Sequence, residues 1–322
     1  MAKRVLITEP IVDSVIQHLR NHYEVVVGKR GDFSTEEALV EAVPGFDALL
    51  PMLSCPITAN VLSAGDKLKI VANHAVGYNN IDLNAARNAG IKVANTPDVL
   101  TESTADCAMA LLLSTARKIT EAQNFLLEGK FDGWDPLGFL GMELNGKTLG
   151  ILGMGRIGTA VARRAKAFGM DIIYHNRSRV DQETEQQLEA ELISDIQTLA
   201  KRSDIISINC PLTDNTYHAI DAEILDLMPE HAIIINTARG PVIDEAALAE
   251  ALHNGTIGGA GLDVLEEEPE VHPRLITAPN CVLTPHIGSA THETREAIGM
   301  LAANAIIGVL EGKPDEKIPE SY

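Results

Sequence analysis

The sequence predicts an α/β protein of two domains, each built on a parallel sheet. Three observations carry that prediction. At 322 residues the chain is longer than one hydrophobic core usually serves. Short apolar runs alternate with helix-compatible segments, as βα units do. The alternation restarts near the middle of the chain with a glycine-rich turn, "GMGRIG".

In the first third, "RVLIT", "EVVVG", "DALLP", "KIVANH" and "IKVANT" read as strands, with helical segments such as "PIVDSVIQHLRNH" and "IDLNAARNAG" between them. One long helix is expected from Thr101 to Glu128. It opens on the cap-type residues "TEST" and is apolar nearly all round through "ADCAMALLLSTARKI", so burial between domains or subunits is expected. "GKTLGILG" opens the second series, and "DIIYH", "DIISINC", "AIIINT", "GAGLDV" and "CVLTPH" are its further strands. After "TPHIGS" no strand is expected. The segment "THETREAIGMLAANAIIGVLEGK" reads as one amphipathic helix capped by Thr291, too small to be a domain of its own. The tail "PDEKIPESY" reads as polar and loose.

Forty-five acidic residues against 26 basic ones give a net charge of −19, which argues against nucleic acid or an anionic membrane as the main partner. Any anion site must be local, made from helix N-termini or placed arginines. Cysteines 55, 107, 210 and 281 have no C-x-x-C spacing, so neither a metal cage nor a disulfide framework is indicated. "MAKRVLITEP" runs directly into a strand, and no apolar run has transmembrane length, so a cytoplasmic protein is expected.

Gly153, Gly155 and Gly158 complete a G-x-G-x-x-G between a strand and the helix "IGTAVARRAKAFG". In a dinucleotide site the first glycine permits a tight turn, the second admits a pyrophosphate to the backbone, and the third lets helix and strand pack closely. About 20 residues on, an acid usually receives the ribose hydroxyls. Here the loop reads "HNRSR", with Asn176, Arg177, Ser178 and Arg179 after His175. Donors and positive charge suit a 2′-phosphate, since arginine donates to phosphate in a bidentate way. The loop therefore favours NADP(H). NAD(H) bound through backbone contacts, with both arginines as surface charges, stays open.

Three more residues follow buried strands, where ligands bind in open α/β sheets. Arg239 in "IIINTARG" suits a carboxylate, and His286 in "CVLTPHIGS" suits proton transfer near neutral pH. Glu268 in "LDVLEEEPE", beyond the strand closed by Asp263, suits pairing with an imidazole. Together they form a constellation for reducing a carbonyl beside a carboxylate.

The chain carries the motifs "VGYNNID", "GMGRIG", "INTARGPVIDE", "GLDVLEEEP" and "TPHIG" between residues 76 and 288, and the likeness they mark covers essentially its whole length. With them the sequence resembles the D-isomer-specific 2-hydroxyacid dehydrogenases, and within these the glyoxylate/hydroxypyruvate reductase branch. The resemblance implies two flavodoxin-like or Rossmann-like α/β domains with the active site in the cleft between them. Residues 1–99 and 289–322 would form the substrate domain, the last helix returning to it. Residues 100–288 would form the dinucleotide-binding domain. Arg239, Glu268 and His286 would be catalytic. Leu53, Ala75, Val76, Gly77 and Arg239 would bind substrate. Thr104, Gly153, Gly155, Arg156, Ile157, Gly158, residues 176–179, Cys210, Pro211, Thr237, Ala238, Asp263, His286 and Gly288 would bind the cofactor. A homodimer is implied. A broader 2-ketoacid reductase, of D-lactate or 2-ketogluconate type, and a non-catalytic NAD(H)-sensing corepressor are the alternatives. Trp134, the single tryptophan, is not expected in the site.

Overall fold

The computed structural model describes residues 2–313, so the tail read as loose lies outside the described residues. The chain divides into two compact units. One holds the chain up to Leu100 and again from Ala290, and the other is Thr101–Ser289.

The strands of the first unit are β1 (Arg4–Ile7), β2 (Glu24–Val27), β3 (Ala48–Leu50), β4 (Ile70–Ala72) and β5 (Lys92–Ala94). All pairings are parallel, in the order β2-β1-β3-β4-β5. Its helices are α1 (Asp13–Arg20), α2 (Glu36–Ala42), α3 (Ala59–Ala64), α4 (Leu83–Ala89) and, from the far end of the chain, α13 (His292–Leu310). Both faces of the sheet are covered, so its inner strands β1, β3 and β4 are apolar at every position but Arg4, the first residue of β1. Val5, Ile7, Ala48, Leu50 and Ile70 point to the face packed by α1 and α13. Leu6, Leu49, Val71 and Val93 point to the opposite core, with Leu39, Val61 and Ala86 of α2–α4. Thr291 caps α13 by accepting from the Thr294 amide at 3.1 Å. A Cβ at Gly299 would meet Val15 at 2.7 Å, so the glycine is what lets α13 lie close on α1.

The second unit carries β6 (Thr148–Leu152), β7 (Asp171–His175), β8 (Glu191–Leu192), β9 (Ile205–Ile208), β10 (Ile233–Asn236), β11 (Gly259–Leu262) and β12 (Cys281–Leu283). They form one parallel sheet, β12-β11-β10-β9-β6-β7-β8. Its helices are α5 (Thr101–Ala116), α6 (Ile119–Leu127), α7 (Arg156–Ala167), α8 (Gln182–Leu188), α9 (Ile196–Arg202), α10 (Ala222–Leu227), α11 (Glu245–Asn254) and α12 (Pro273–Ile276). The chain leaves β6 for β7 on one side and later adds β9 on the other. The glycine-rich turn thus falls at a switch in strand order, where this architecture binds ligands.

Two expectations need correction. The helix predicted over Thr101–Glu128 is two helices. Lys118 takes a left-handed conformation (φ 51°), and the Met142 amide donates to the Ala116 carbonyl at 2.7 Å, occupying the acceptor that would have continued α5. The long burial expected holds for α5, packed on α7, β10 and β11, whereas α6 buries no residue. The two-residue β8 was not predicted at all. Among the described residues no helix is long and apolar enough to cross a membrane.

Candidate active site

The glycine turn is built as its spacing requires. Gly153 has φ +95°, and a Cβ there would lie 2.5 Å from the Cys210 amide nitrogen. A Cβ at Gly158 would overlap the Gly153 carbonyl, whereas one at Gly155 would meet nothing within 4 Å. Gly155 is the N-cap of α7 and offers no side-chain cap, and the positive N-terminus of this helix, opening at Arg156 and Ile157, suits a phosphate. At the ends of β9 and β10, Asn209 Oδ1 and Thr237 Oγ1 are buried without a hydrogen-bond partner. Open space over Gly155 and these two buried polar atoms fit a polar ligand such as a dinucleotide.

The loop after β7 is tied down by its own side chains. Asn176 Oδ1 accepts from the Met154 amide at 2.9 Å, tying the loop to the glycine turn rather than facing outward. His175 Nδ1 lies 2.9 Å from the Ile193 carbonyl. Arg179, read as a phosphate ligand, is exposed and ion-paired to Glu185. Its Nε and Nη2 donate to the buried Glu185 at 2.7–2.9 Å, and Tyr174 donates to the same carboxylate. These bonds hold the Glu185 carboxyl below its usual range. Arg177 and Ser178 are exposed.

Arg239, Glu268 and His286 follow three adjacent strands, β10, β11 and β12. Asn236, fully buried, shapes the first loop by donating to the Arg239 carbonyl and accepting from the Ala238 amide. Arg239 is half-buried, donates to the Ala238 carbonyl at 2.7 Å, and is held below its usual basicity by burial, with the Glu268 charge opposing. Buried Asp263 accepts from Thr284 Oγ1 (2.6 Å) and from the Ile287 and Gly288 amides (2.7 Å each). It thereby folds the loop in which His286 sits at φ +55°. Its carboxylate serves the protein's own backbone and the Thr284 hydroxyl. Thr104 lies beside Gly288.

Glu268 Oε2 lies 2.8 Å from His286 Nδ1, and its Oε1 accepts from the Leu265 amide at 3.1 Å. Burial pushes the Glu268 carboxyl up, but His286, the Leu265 amide and Arg239 together hold it below the usual range. A charged carboxylate on Nδ1 fixes the imidazole and leaves Nε2 for chemistry.

In the first unit, Ala75, Val76 and Gly77 follow β4 and Leu53 follows β3. An asparagine lattice that sequence reading missed holds both loops. Asn73 donates to the Gly77 carbonyl (2.7 Å) and to Asn80 Oδ1 (3.1 Å); Asn80 donates to the Cys55 carbonyl (3.1 Å); Asn95 donates to the Val76 carbonyl (2.7 Å). His74, buried beside Ala75, is pushed down to about 4 by burial and by the Arg295 charge, so at neutral pH it is no proton donor.

Comparison with known proteins places these features in a class. Residues 109–288 match the model of the D-isomer-specific 2-hydroxyacid dehydrogenase NAD-binding domain. A glyoxylate reductase of Thermococcus onnurineus is 48% identical over 317 residues, covering 97% of this chain and 94% of the relative. The crystal structure of a glyoxylate reductase from Paecilomyes thermophila superposes with a TM-score of 0.88 at 35% identity, covering 100% of this chain and 99% of that one. That of an NADPH-dependent glyoxylate/hydroxypyruvate reductase from Sinorhizobium meliloti, in complex with NADP and malonate, has a TM-score of 0.86 at 35% identity and covers 99% and 98%. Fold and site define a nicotinamide-dependent oxidoreductase. The chain belongs to the D-isomer-specific 2-hydroxyacid dehydrogenase family.

Proposed function

We propose that the protein reduces a small 2-ketoacid, glyoxylate or hydroxypyruvate, to the D-2-hydroxyacid with NADPH. The observation that carries the reading is the Glu268–His286 pair at 2.8 Å, one strand from Arg239. The relatives named as glyoxylate reductases supply the substrate class. When bound, the reduced nicotinamide supplies the hydride. Arg239 binds the substrate carboxylate and polarises the carbonyl, stabilising charge that grows at its oxygen. His286 Nε2 delivers a proton to that oxygen, and Glu268, on Nδ1, holds the imidazole oriented. Leu53, Ala75, Val76 and Gly77 are proposed as further substrate contacts. A ligand sensor needs no such donor pair, which disfavours the corepressor alternative.

The NADPH preference rests on Arg177 and on the absence of an acid at the end of β7. Steady-state assays with glyoxylate, hydroxypyruvate, pyruvate and 2-ketogluconate, each with NADPH and NADH, test both parts. The highest kcat/KM on pyruvate or 2-ketogluconate would replace the substrate assignment, and equal values with the two cofactors would remove the NADP preference.

The protein is further proposed to act as a homodimer. The support is an apolar stretch that one chain leaves uncovered: Ile119, Leu126 and Leu127 on α6, then Phe131, Trp134, Leu137 and Leu140, with Leu127 72% and Trp134 85% exposed. So much exposed apolar side chain within some twenty residues marks an interaction surface.

A further inference from the structure

A group of polar side chains outside the proposed catalytic trio ties the Glu268 loop to the Arg239 loop. Glu245, the first residue of α11, is buried. Its Oε1 accepts from the Glu266 amide at 2.6 Å, and Glu266 Oε2 accepts from the Glu245 amide at 3.2 Å. The other oxygen of Glu266 lies 2.6 Å from His218 Nε2. The His218 amide donates to the Pro241 carbonyl at 2.8 Å, two residues beyond Arg239, and Tyr217 stacks on the His218 ring with centroids 4.0 Å apart. At Gly240 the two loops also meet backbone to backbone, since a Cβ there would overlap the Leu265 carbonyl. The Leu265–Glu266 peptide is therefore clamped on both sides. Leu265 is the residue whose amide holds Glu268 Oε1.

We propose that Glu266, gripped by His218 and Glu245, is a positioning residue for the reaction: it fixes the Leu265–Glu266 peptide so that the Leu265 amide presents Glu268 to His286 in one frame with Arg239. The inference rests on the roles proposed above for those three residues. Facing the frame are His218, Asp244 (4.0 Å from His218 Nδ1), Glu245, Glu267 and His272; facing Glu268 are His286 and Arg239. Burial raises the Glu245 carboxyl, the Glu266 amide opposes that, and the Glu266 carboxylate adds to it.

Glu266→Ala removes the acceptor for His218 and for the Glu245 amide. Glu268 then loses a steady donor among those that hold its carboxyl low. The ionised form of Glu268 is needed, so the acid limb of kcat/KM for NADPH-dependent glyoxylate reduction moves to higher pH. In addition kcat falls roughly three- to tenfold, the size of one lost hydrogen bond, while the Kd for NADPH holds. Glu266→Gln keeps a carbonyl acceptor and restores most of both. A purely structural role lowers the melting temperature or the fraction of active enzyme and leaves the acid limb in place. An unmoved acid limb in Glu266→Ala, at titrated active-site concentration, overturns the inference. Should that variant not fold, His218→Leu leaves both carboxylates in place and carries the same expectation at smaller size, with an unmoved limb again overturning it. His286→Ala is assayed alongside. Its near-complete loss of turnover beside an unmoved Glu266→Ala profile removes this inference alone, whereas near-normal turnover of His286→Ala overturns this inference and the functional reading together.

Discussion

Replacing Arg177 with alanine should convert the enzyme toward equal use of the two nicotinamide cofactors, and replacing Arg179 should not. The two side chains are two residues apart and equally basic, yet only Arg177 is uncommitted to Glu185. Arg179 gives Nε and Nη2 to Glu185, whose side chain is 9% exposed and also takes the Tyr174 hydroxyl. One charge-assisted hydrogen bond contributes about 1.5–3 kcal/mol, and the exposure of Arg177 places it at the lower end. The NADPH:NADH ratio of kcat/KM should therefore fall roughly tenfold in Arg177→Ala, almost wholly through NADPH. In the unmodified protein the ratio should shrink as salt rises, because an exposed charge is screened. Arg179→Ala should keep the ratio and lose melting temperature, since it strands a buried carboxylate. Measuring kcat/KM for both cofactors in three proteins at two ionic strengths decides it. A drop in Arg179→Ala as large as in Arg177→Ala would refute the division of labour between them.

Gly153→Ala adds a methyl 2.5 Å from the Cys210 amide nitrogen at φ +95°, so strain and overpacking should together cost about 2–5 kcal/mol, read as a lower melting temperature and weakened cofactor binding. Wild-type affinity for NADPH in that variant would contradict the close-approach role. Asn80→Ala cuts the tie between the Cys55 and Gly77 loops and should raise KM for the ketoacid about three- to tenfold with the KM for NADPH unchanged. Equal effects on both would show a general loss of folding instead. Sedimentation at micromolar concentration should give a dimer, and Leu127→Glu with Trp134→Glu should shift it to monomer; a monomeric unmodified protein removes the proposed assembly.

What could be read beforehand follows from what each signal depends on. Buried parallel strands such as "IIIN" declare themselves because both faces must be apolar. The candidates Arg239, Glu268 and His286 could be picked out because each comes after an apolar strand, although β12, before His286, is only half-buried. The break at Lys118 was not, for no Gly or Pro marks it and its cause, the Met142 amide on the Ala116 carbonyl, comes from 26 positions downstream. The Arg179–Glu185 pair was hidden for a similar reason: Glu185 meets Arg179 only once α8 folds back on β7. The supports of the site, Asn73, Asn80, Asn236, Glu245 and Glu266, are polar residues that read as surface. Only the fold shows their side chains holding backbone groups. "INTARG" did contain one clue, since an asparagine that ends a buried strand before a tight loop commonly bonds its own backbone two residues on.

His286 follows β12, a strand of three residues that pairs with β11 on one side only and is nowhere fully buried. Edge strands open at lower free energy than the centre of a sheet. The proposed proton donor is thus carried by a part of the second unit that should detach early, ahead of β6, β9 and β10. Under rising denaturant, catalysis should fail while most of the sheet still stands. Amide exchange at residues 281–288 should then report the midpoint of inactivation, distinct from that of unfolding.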